Sequence, residues 1–263
     1  MKANMSGFDL RAIVGELSQY VGAYVKKSYM PHYEQIVLRI NPKESSQFDL
    51  VIVRGSRVYT SNRDRPMPQT PPPFAMVLRK YLKNARMTAV RQLGFDRVIA
   101  LDFDTKFGEM HLYVEVFREG NIILVDSEGM IIQPLTHAKY SGRVLKKGVE
   151  YQPPPAAVDP HDLDEAALSE IFANSERDLV ATLGGKANLG GTHANAVCHL
   201  AGIEPNSKTD EVDVGKVHDA LKSMLEGLAN QSKGYLILKT DDQQSVEELQ
   251  ELANQQTDGA ERD

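Results

Sequence analysis

Three side chains in this sequence combine a formal charge with a position that gives the charge something to do. Asp9 stands three residues after Ser6 in "MSGFDLRAIVGEL", and Asp96 and Arg97 stand side by side in "QLGFDRVIALDFD", at the head of an apolar run. Read as a strand, the run puts Arg97 in line with Ile99, Leu101 and Phe103, and Asp96 in line with Val98, Ala100 and Asp102. One of the pair then lies near a buried face and needs a partner, because an unpaired buried charge is costly. That partner is either another part of the protein or a bound molecule. Asp9 reads as the capping partner of the helix that Ser6 opens.

Two further groups suit contact with phosphates. Arg79, Lys83 and Arg86 recur at helical spacing, so on one helix they line up on consecutive turns, a geometry that fits a nucleic-acid backbone and equally a solvated face. Gly190 and Gly191 open an apolar-periodic segment in "NLGGTHANAVCHLAGIEPN", where a helix start would aim free N–H groups outward as an anion site. The alternative is a tight turn between packed helices. "GGKANLGG" lacks the spacing of a Walker loop. Cys198, His199 and His193 fall short of the three or four ligands a metal site needs. No metal, cofactor or catalytic constellation is expected.

These residues need elements to hold them. Phe8 to about Val21 carries Ile13, Val14, Leu17 and Tyr20 at helical spacing, with Ser6 as N-cap and Asp9 completing a capping box. Strand-like runs follow at Gln35–Ile40, Asp49–Val53 and Val58–Thr60, then a Pro-rich loop from Arg63 to Pro73. A second helix is predicted from Phe74 to Asn84. Met87 to Leu135 reads as dense β-structure, with strands at Arg97–Phe103, Met110–Phe117, Ile122–Val125 and Met130–Gln133. Its connections are short and Gly-bearing, which predicts an antiparallel meander. "YQPPPAAVDP" reads as a linker, and helices are predicted at Leu163–Phe172, Glu176–Leu183, Thr192–Ala201 and Val214–Leu228, with Gly202 ending the third. "YLILK" reads as a short strand, and the polar segment from Thr240 as a tail. The expected class is α+β, with domains at 1–150, 151–239 and an acidic tail at 240–263.

The 263 residues carry a net charge of −6, but unevenly. Residues 1–150 hold 22 Lys+Arg against 15 Asp+Glu, and residues 151–263 hold 8 against 21, so the halves are +7 and −13. A basic half suits a polyanionic partner; clustering on solvated faces is the blander account. No run approaches the roughly 18 apolar residues of a membrane span, and "MKANMSGFDL" has no apolar signal stretch. The lone Cys198 fits a reducing compartment. A cytoplasmic protein with no membrane partner is expected.

Taken in order, "MSGFDLRAIVGEL", "FAMVLRKYLKNARM", "QLGFDRVIALDF", "VEVFREGNIILVD" and "LGGTHANAVCHLAGI" resemble the N-terminal region of the NFACT family, the ribosome quality-control factors that include bacterial RqcH and eukaryotic NEMF and that older usage calls fibronectin-binding protein A-like. The resemblance implies binding to tRNA, alanyl-tRNA in particular, and to an obstructed large ribosomal subunit carrying peptidyl-tRNA. It further implies support of C-terminal alanine tailing of stalled chains, with peptide transfer at the ribosome, so that the chain is a binding factor and not an enzyme. The family's functional Asp and Asp-Arg pair fall on Asp9, Asp96 and Arg97. "LGGTHANAVCHLAGIEP" also resembles formamidopyrimidine-DNA glycosylases, which implies an antiparallel β-sandwich-like domain with flanking helices followed by an all-helical helix-two-turn-helix domain. Their N-terminal Pro-Glu is missing here, and Gly191 stands at their phosphate-binding Asn, so base excision is the rival function and not the expected one. An extracellular adhesin is a third, suggested by the older family label alone.

Overall fold

A computed structural model describes residues 4–140 and 142–229. The chain divides into two compact units, Met1–Lys222 and Ser223–Asp263. The sheet, the first five helices and the clefts described below belong to the first. The expected "YLILK" strand and the acidic tail lie outside the described residues.

Helix α1 (Gly7–Ser18) starts as its sequence dictates. The Ser6 hydroxyl accepts the Asp9 N–H, and the Asp9 carboxylate accepts the Ser6 N–H in return. Leu10, Ile13 and Leu17 form its buried stripe. The chain then enters β1 (Tyr24–His32), β2 (Gln35–Asn41), β3 (Phe48–Val53) and β4 (Arg57–Ser61), each antiparallel to the next. Alternation sends Ile36, Leu38, Ile40, Leu50 and Ile52 into the core. The opposite face pairs Arg39 directly with Asp49, whose carboxylate takes both guanidinium donors at 2.9 and 3.2 Å.

Helix α2 (Pro73–Leu82) buries Phe74, Ala75, Leu78 and Leu82. It lies along β1, and Arg79 donates from Nε to the Ser28 carbonyl at 2.8 Å. The predicted line of Arg79, Lys83 and Arg86 does not form. Lys83 is already extended (ψ 123°) and Asn84 has φ +61°, so the chain reverses, and Arg86 opens β5 (Arg86–Gln92), 3.8 Å from Asp104. A helix-period pattern ran on past the residue that ends the helix.

From β5 the sheet continues as the predicted meander through β6 (Val98–Thr105), β7 (Gly108–Glu115), β8 (Ile122–Asp126) and β9 (Ile131–Pro134), all antiparallel. The nine strands run in the order β4-β3-β2-β1-β5-β6-β7-β8-β9. At the β1–β5 seam only Tyr24 and Arg86 are in ladder register, yet both halves of the sheet supply the same core, with α1 and α2 packed into it. A small ribbon, β10 (Ala138–Tyr140) and β11 (Arg143–Leu145), follows.

The chain then runs to a 3-10 turn (Pro160–Asp162) and helices α3 (Glu165–Ala173), α4 (Leu179–Gly185), α5 (Gly190–Ala201) and α6 (Val214–Ala229). Asp164 and Asp178 cap α3 and α4 through their side chains. This moves both starts later than the apolar pattern alone suggests. Gly202 ends α5 in the left-handed conformation, φ +66°, as expected of a glycine there. The molecule is therefore α+β: a large antiparallel sheet with flanking helices.

Candidate nucleic-acid interface

Asp96 and Arg97 are not strand residues. They close the turn between β5 and β6, which Leu93 and Val98 bracket with a backbone bond of 3.0 Å and in which the Asp96 N–H reaches the Leu93 carbonyl at 3.1 Å. Strand alternation therefore does not govern them, and they part company. Asp96 is half-buried, and its Oδ2 accepts the Ala157 N–H at 3.2 Å. Burial lifts its carboxyl above the usual range, against the opposing pull of that N–H and of Arg97. Arg97 is exposed, held through its backbone carbonyl by the Val116 N–H at 2.7 Å. Its guanidinium makes no hydrogen bond or ion pair with any described residue, and it faces a cleft.

That cleft, about 280 Å³, lies between three pieces of chain: the segment Asn4–Gly7, the Arg97 turn, and the α4–α5 turn with the first residues of α5. Small local devices bring them together. Gln92 donates to the carbonyls of Gly7 (3.0 Å) and Asp96 (2.9 Å), tying the α1 start to the β5–β6 turn. Asn188 donates to the Phe95 carbonyl (3.4 Å) and the Val158 carbonyl (2.9 Å), adding the α4–α5 turn. It holds φ +57°, a conformation Asn tolerates better than most residues. Beneath the cleft Phe8 packs edge-on to Phe95 at 4.7 Å and against His193 at 4.4 Å. Gly7 allows this closeness, because a Cβ there would meet the Phe95 ring at 2.7 Å.

The floor of the cleft includes Gly190, Gly191, Thr192 and His193, the first turn of α5. Unlike α1, α3 and α4, this helix has no side-chain cap. Its leading N–H groups carry the positive end of the helix dipole. From Leu179 through Ile203 the sequence contains no Asp or Glu, so no acid of its own segment offsets that end. A free guanidinium and an uncapped helix start thus share one cleft of a size for a phosphate group and its neighbours.

Of the sequence-predicted residues, Arg97, Gly190 and Gly191 line this cleft. Asp9 stands behind it: its Oδ2 holds the Ser6 N–H at 2.6 Å and the Ser6 hydroxyl at 2.7 Å, and Ser6 is a lining residue. Asp96 turns to Ala157. Arg79, Lys83 and Arg86 are elsewhere, on or beside α2. Gln92, Phe95 and Asn188 escaped the sequence reading: the two amides bond to carbonyls distant in sequence and the Phe95 ring packs on the remote Phe8, and neither leaves a local pattern. Among the described residues no cluster of three or more His, Cys, Asp or Glu is placed to hold a metal, and no helix is long and apolar enough to cross a membrane.

With this geometry in view, known proteins give the lineage. The chain belongs to the NFACT family: the family model for the NFACT N-terminal and middle domains matches residues 6–262. The archaeal Rqc2 homolog aRqcH of Methanocaldococcus jannaschii is 31% identical over 91% of this chain and 37% of its own length. The human ribosome quality control complex subunit NEMF is 30% identical over 69% of this chain and 16% of its own. The chain thus spans well under half the length of these relatives. Among solved structures, the N-terminal part of the fibronectin/fibrinogen-binding protein of Streptococcus suis superposes with a TM-score of 0.71 at 26% identity, covering 90% of this chain and 88% of that one.

Proposed function

We propose that this chain is the N-terminal part of a cytoplasmic ribosome quality-control factor, and that the Arg97 cleft grips the backbone of a tRNA. One observation carries the reading: an unpaired, exposed guanidinium opposite the uncapped start of α5, in a chain of this family. Arginine donors and helix-start N–H groups are what proteins use to position phosphates. Relatives named as ribosome quality-control subunits support the setting: an obstructed large subunit with peptidyl-tRNA, and alanine tailing in which this chain binds alanyl-tRNA while the ribosome performs the transfer. In this reading Arg97, Gly190 and Gly191 touch RNA. Asp9 and Asp96 act by fixing the Ser6–Gly7 segment and the Arg97 turn. The segment from α4 to α5 serves as a helix-two-turn-helix module following a sandwich-like β domain, with boundaries near residues 150 and 239.

The test is tRNA binding by the 263-residue chain and alanine tailing by the full-length parent carrying Arg97→Ala. The side chain is exposed and unpaired, so stability should change by no more than about 0.5 kcal/mol. Affinity for tRNA should fall about 10- to 150-fold, in line with the roughly 1.5–3 kcal/mol of a hydrogen bond to a charged group, and tailing should fall with it. Binding and tailing equal to wild type would end the proposal.

A further inference from the structure

A second concavity, sharing no lining residue with the Arg97 cleft, lies under the β10–β11 ribbon. It measures about 370 Å³, within the roughly 300–1,000 Å³ range of small-ligand sites. Phe117, Tyr140, Arg143, Gln152 and the run Pro153–Pro155 line it, with no acidic residue among them. Its centre is a stack. The Arg143 guanidinium lies 4.7 Å from the Tyr140 ring centroid and 5.9 Å from that of Phe117.

The stack is held from below by charge. Glu115 is completely buried and accepts both ends of the Arg143 fork, at 2.5 and 3.1 Å, while the Tyr151 hydroxyl donates to the same carboxylate at 3.2 Å. Arg143 gives a third bond to the Gln152 carbonyl at 3.3 Å. Three of its five N–H donors are thereby committed inside the protein and its charge is paired with Glu115, so the part of it that lines the pocket is a fixed, flat face with little free charge. The Tyr140 hydroxyl is likewise committed, to the Glu119 carbonyl at 2.5 Å. With the Arg143 charge already paired and rings and prolines making up most of the lining, such a pocket suits the stacking of a planar ring better than the capture of an anion.

The ribbon around it is basic. Between Leu135 and Val149 there are four Lys or Arg residues (Lys139, Arg143, Lys146 and Lys147) and no Asp or Glu. The three lysines are exposed. Flat aromatic and guanidinium surfaces bordered by solvated cations are the two parts of a single-strand binding site, one for bases and one for the backbone. We propose that this pocket stacks one unpaired base of an RNA strand whose phosphates follow Lys139, Lys146 and Lys147. The exposed Gln152 amide, a donor and acceptor at the pocket wall, is placed to meet the edge of that base.

The 263-residue chain should bind a fluorescein-labelled eight-nucleotide single-stranded RNA, read by anisotropy. The short strand contains no folded tRNA, so this experiment and the Arg97 experiment fail independently. Tyr140→Ala should weaken binding about 5- to 150-fold, the equivalent of losing one base–aromatic stack, whereas Tyr140→Phe keeps the ring and should stay within about twofold. Lys146→Gln with Lys147→Gln should flatten the dependence of log affinity on log salt by about 1.4, two phosphates' worth on a single strand. If Tyr140→Ala disturbs the fold, the wild-type protein decides the matter through an RNA carrying 2-aminopurine in place of one base. At one position of the strand, its fluorescence should be quenched on binding. Strand binding with no quenching at any position, a folded Tyr140→Ala variant that binds normally, or equal competition by an acidic peptide would each overturn the assignment.

Discussion

At the scale of single residues, an acid and a base adjacent in sequence do opposite jobs. Arg97 is offered to solvent; Asp96 is spent on the Ala157 N–H. The protonation of Asp96 separates the two roles. Its carboxyl titrates above the ordinary range because burial penalises the charge. A carboxyl raised in the folded state binds protons more tightly there than in the unfolded chain. Its contribution to stability is therefore full at low pH and is lost as pH rises through that folded value. Asp96→Asn keeps an oxygen to accept from Ala157 and removes the penalty. The variant should be at least as stable as wild type at pH 7 and should lose its advantage as pH falls below the ordinary carboxylate range, as thermal melts across pH will read. Removing a negative charge beside Arg97 should also strengthen tRNA binding about two- to fivefold, since a unit charge a few ångströms away in a solvated setting is worth at most about 1 kcal/mol. Weaker binding at unchanged stability would mean that the Asp96 carboxylate itself touches RNA.

At the scale of elements, the site depends on how α1 begins. Ser6 lines the cleft, and the reciprocal bonds of Ser6 and Asp9 fix it there. Ser6→Ala and Asp9→Ala should each cost about 1 kcal/mol of stability, the usual value of a lost cap. If Asp9 acts through the cap, both variants should weaken tRNA binding to a similar, modest extent in titrations at matched folded fraction. A much larger loss for Asp9→Ala would assign that carboxylate a contact of its own. The capping box was legible because its partners are three residues apart, and so was the end of α5 at Gly202. The meander from β6 to β9 was legible because alternation and short Gly-bearing turns are local signals. The end of α2 was not. Arg86 keeps the helical period in sequence, and only the extended Lys83 and left-handed Asn84 break it. Neither was β1, whose exposed Tyr24, Lys26 and Lys27 blur its alternation. The Arg97 turn was mistaken for strand because apolar residues begin directly after it. Its closure with the start of α5 rests on Gln92 and Asn188, whose partners are far away in sequence.

At the scale of the molecule, the charge asymmetry and the architecture have to be reconciled. The half that carries Arg97 is basic and the half that carries α5 is acidic, yet the two meet at one cleft. The acidic half contributes its longest stretch with no carboxylate, Leu179 through Ile203, and presents there a helix end in place of side-chain charge. The positive groups that line the cleft are thus a guanidinium on one side and a helix start on the other. This arrangement predicts that stability and binding can be driven in opposite directions by one substitution. Thr192 is exposed in the first turn of α5 and lines the cleft. A carboxylate in a first turn complements the dipole, so Thr192→Glu should raise or preserve stability, by about 0.3–1 kcal/mol. The same charge would occupy the place that the proposed function gives to a phosphate. Affinity for tRNA should drop about tenfold, and the slope of log affinity against log salt should lose about one phosphate, roughly 0.7–0.9. A variant that is more stable and binds tRNA with an unchanged slope would show that the phosphate lies elsewhere, and that the uncapped helix start is only a turn between packed helices.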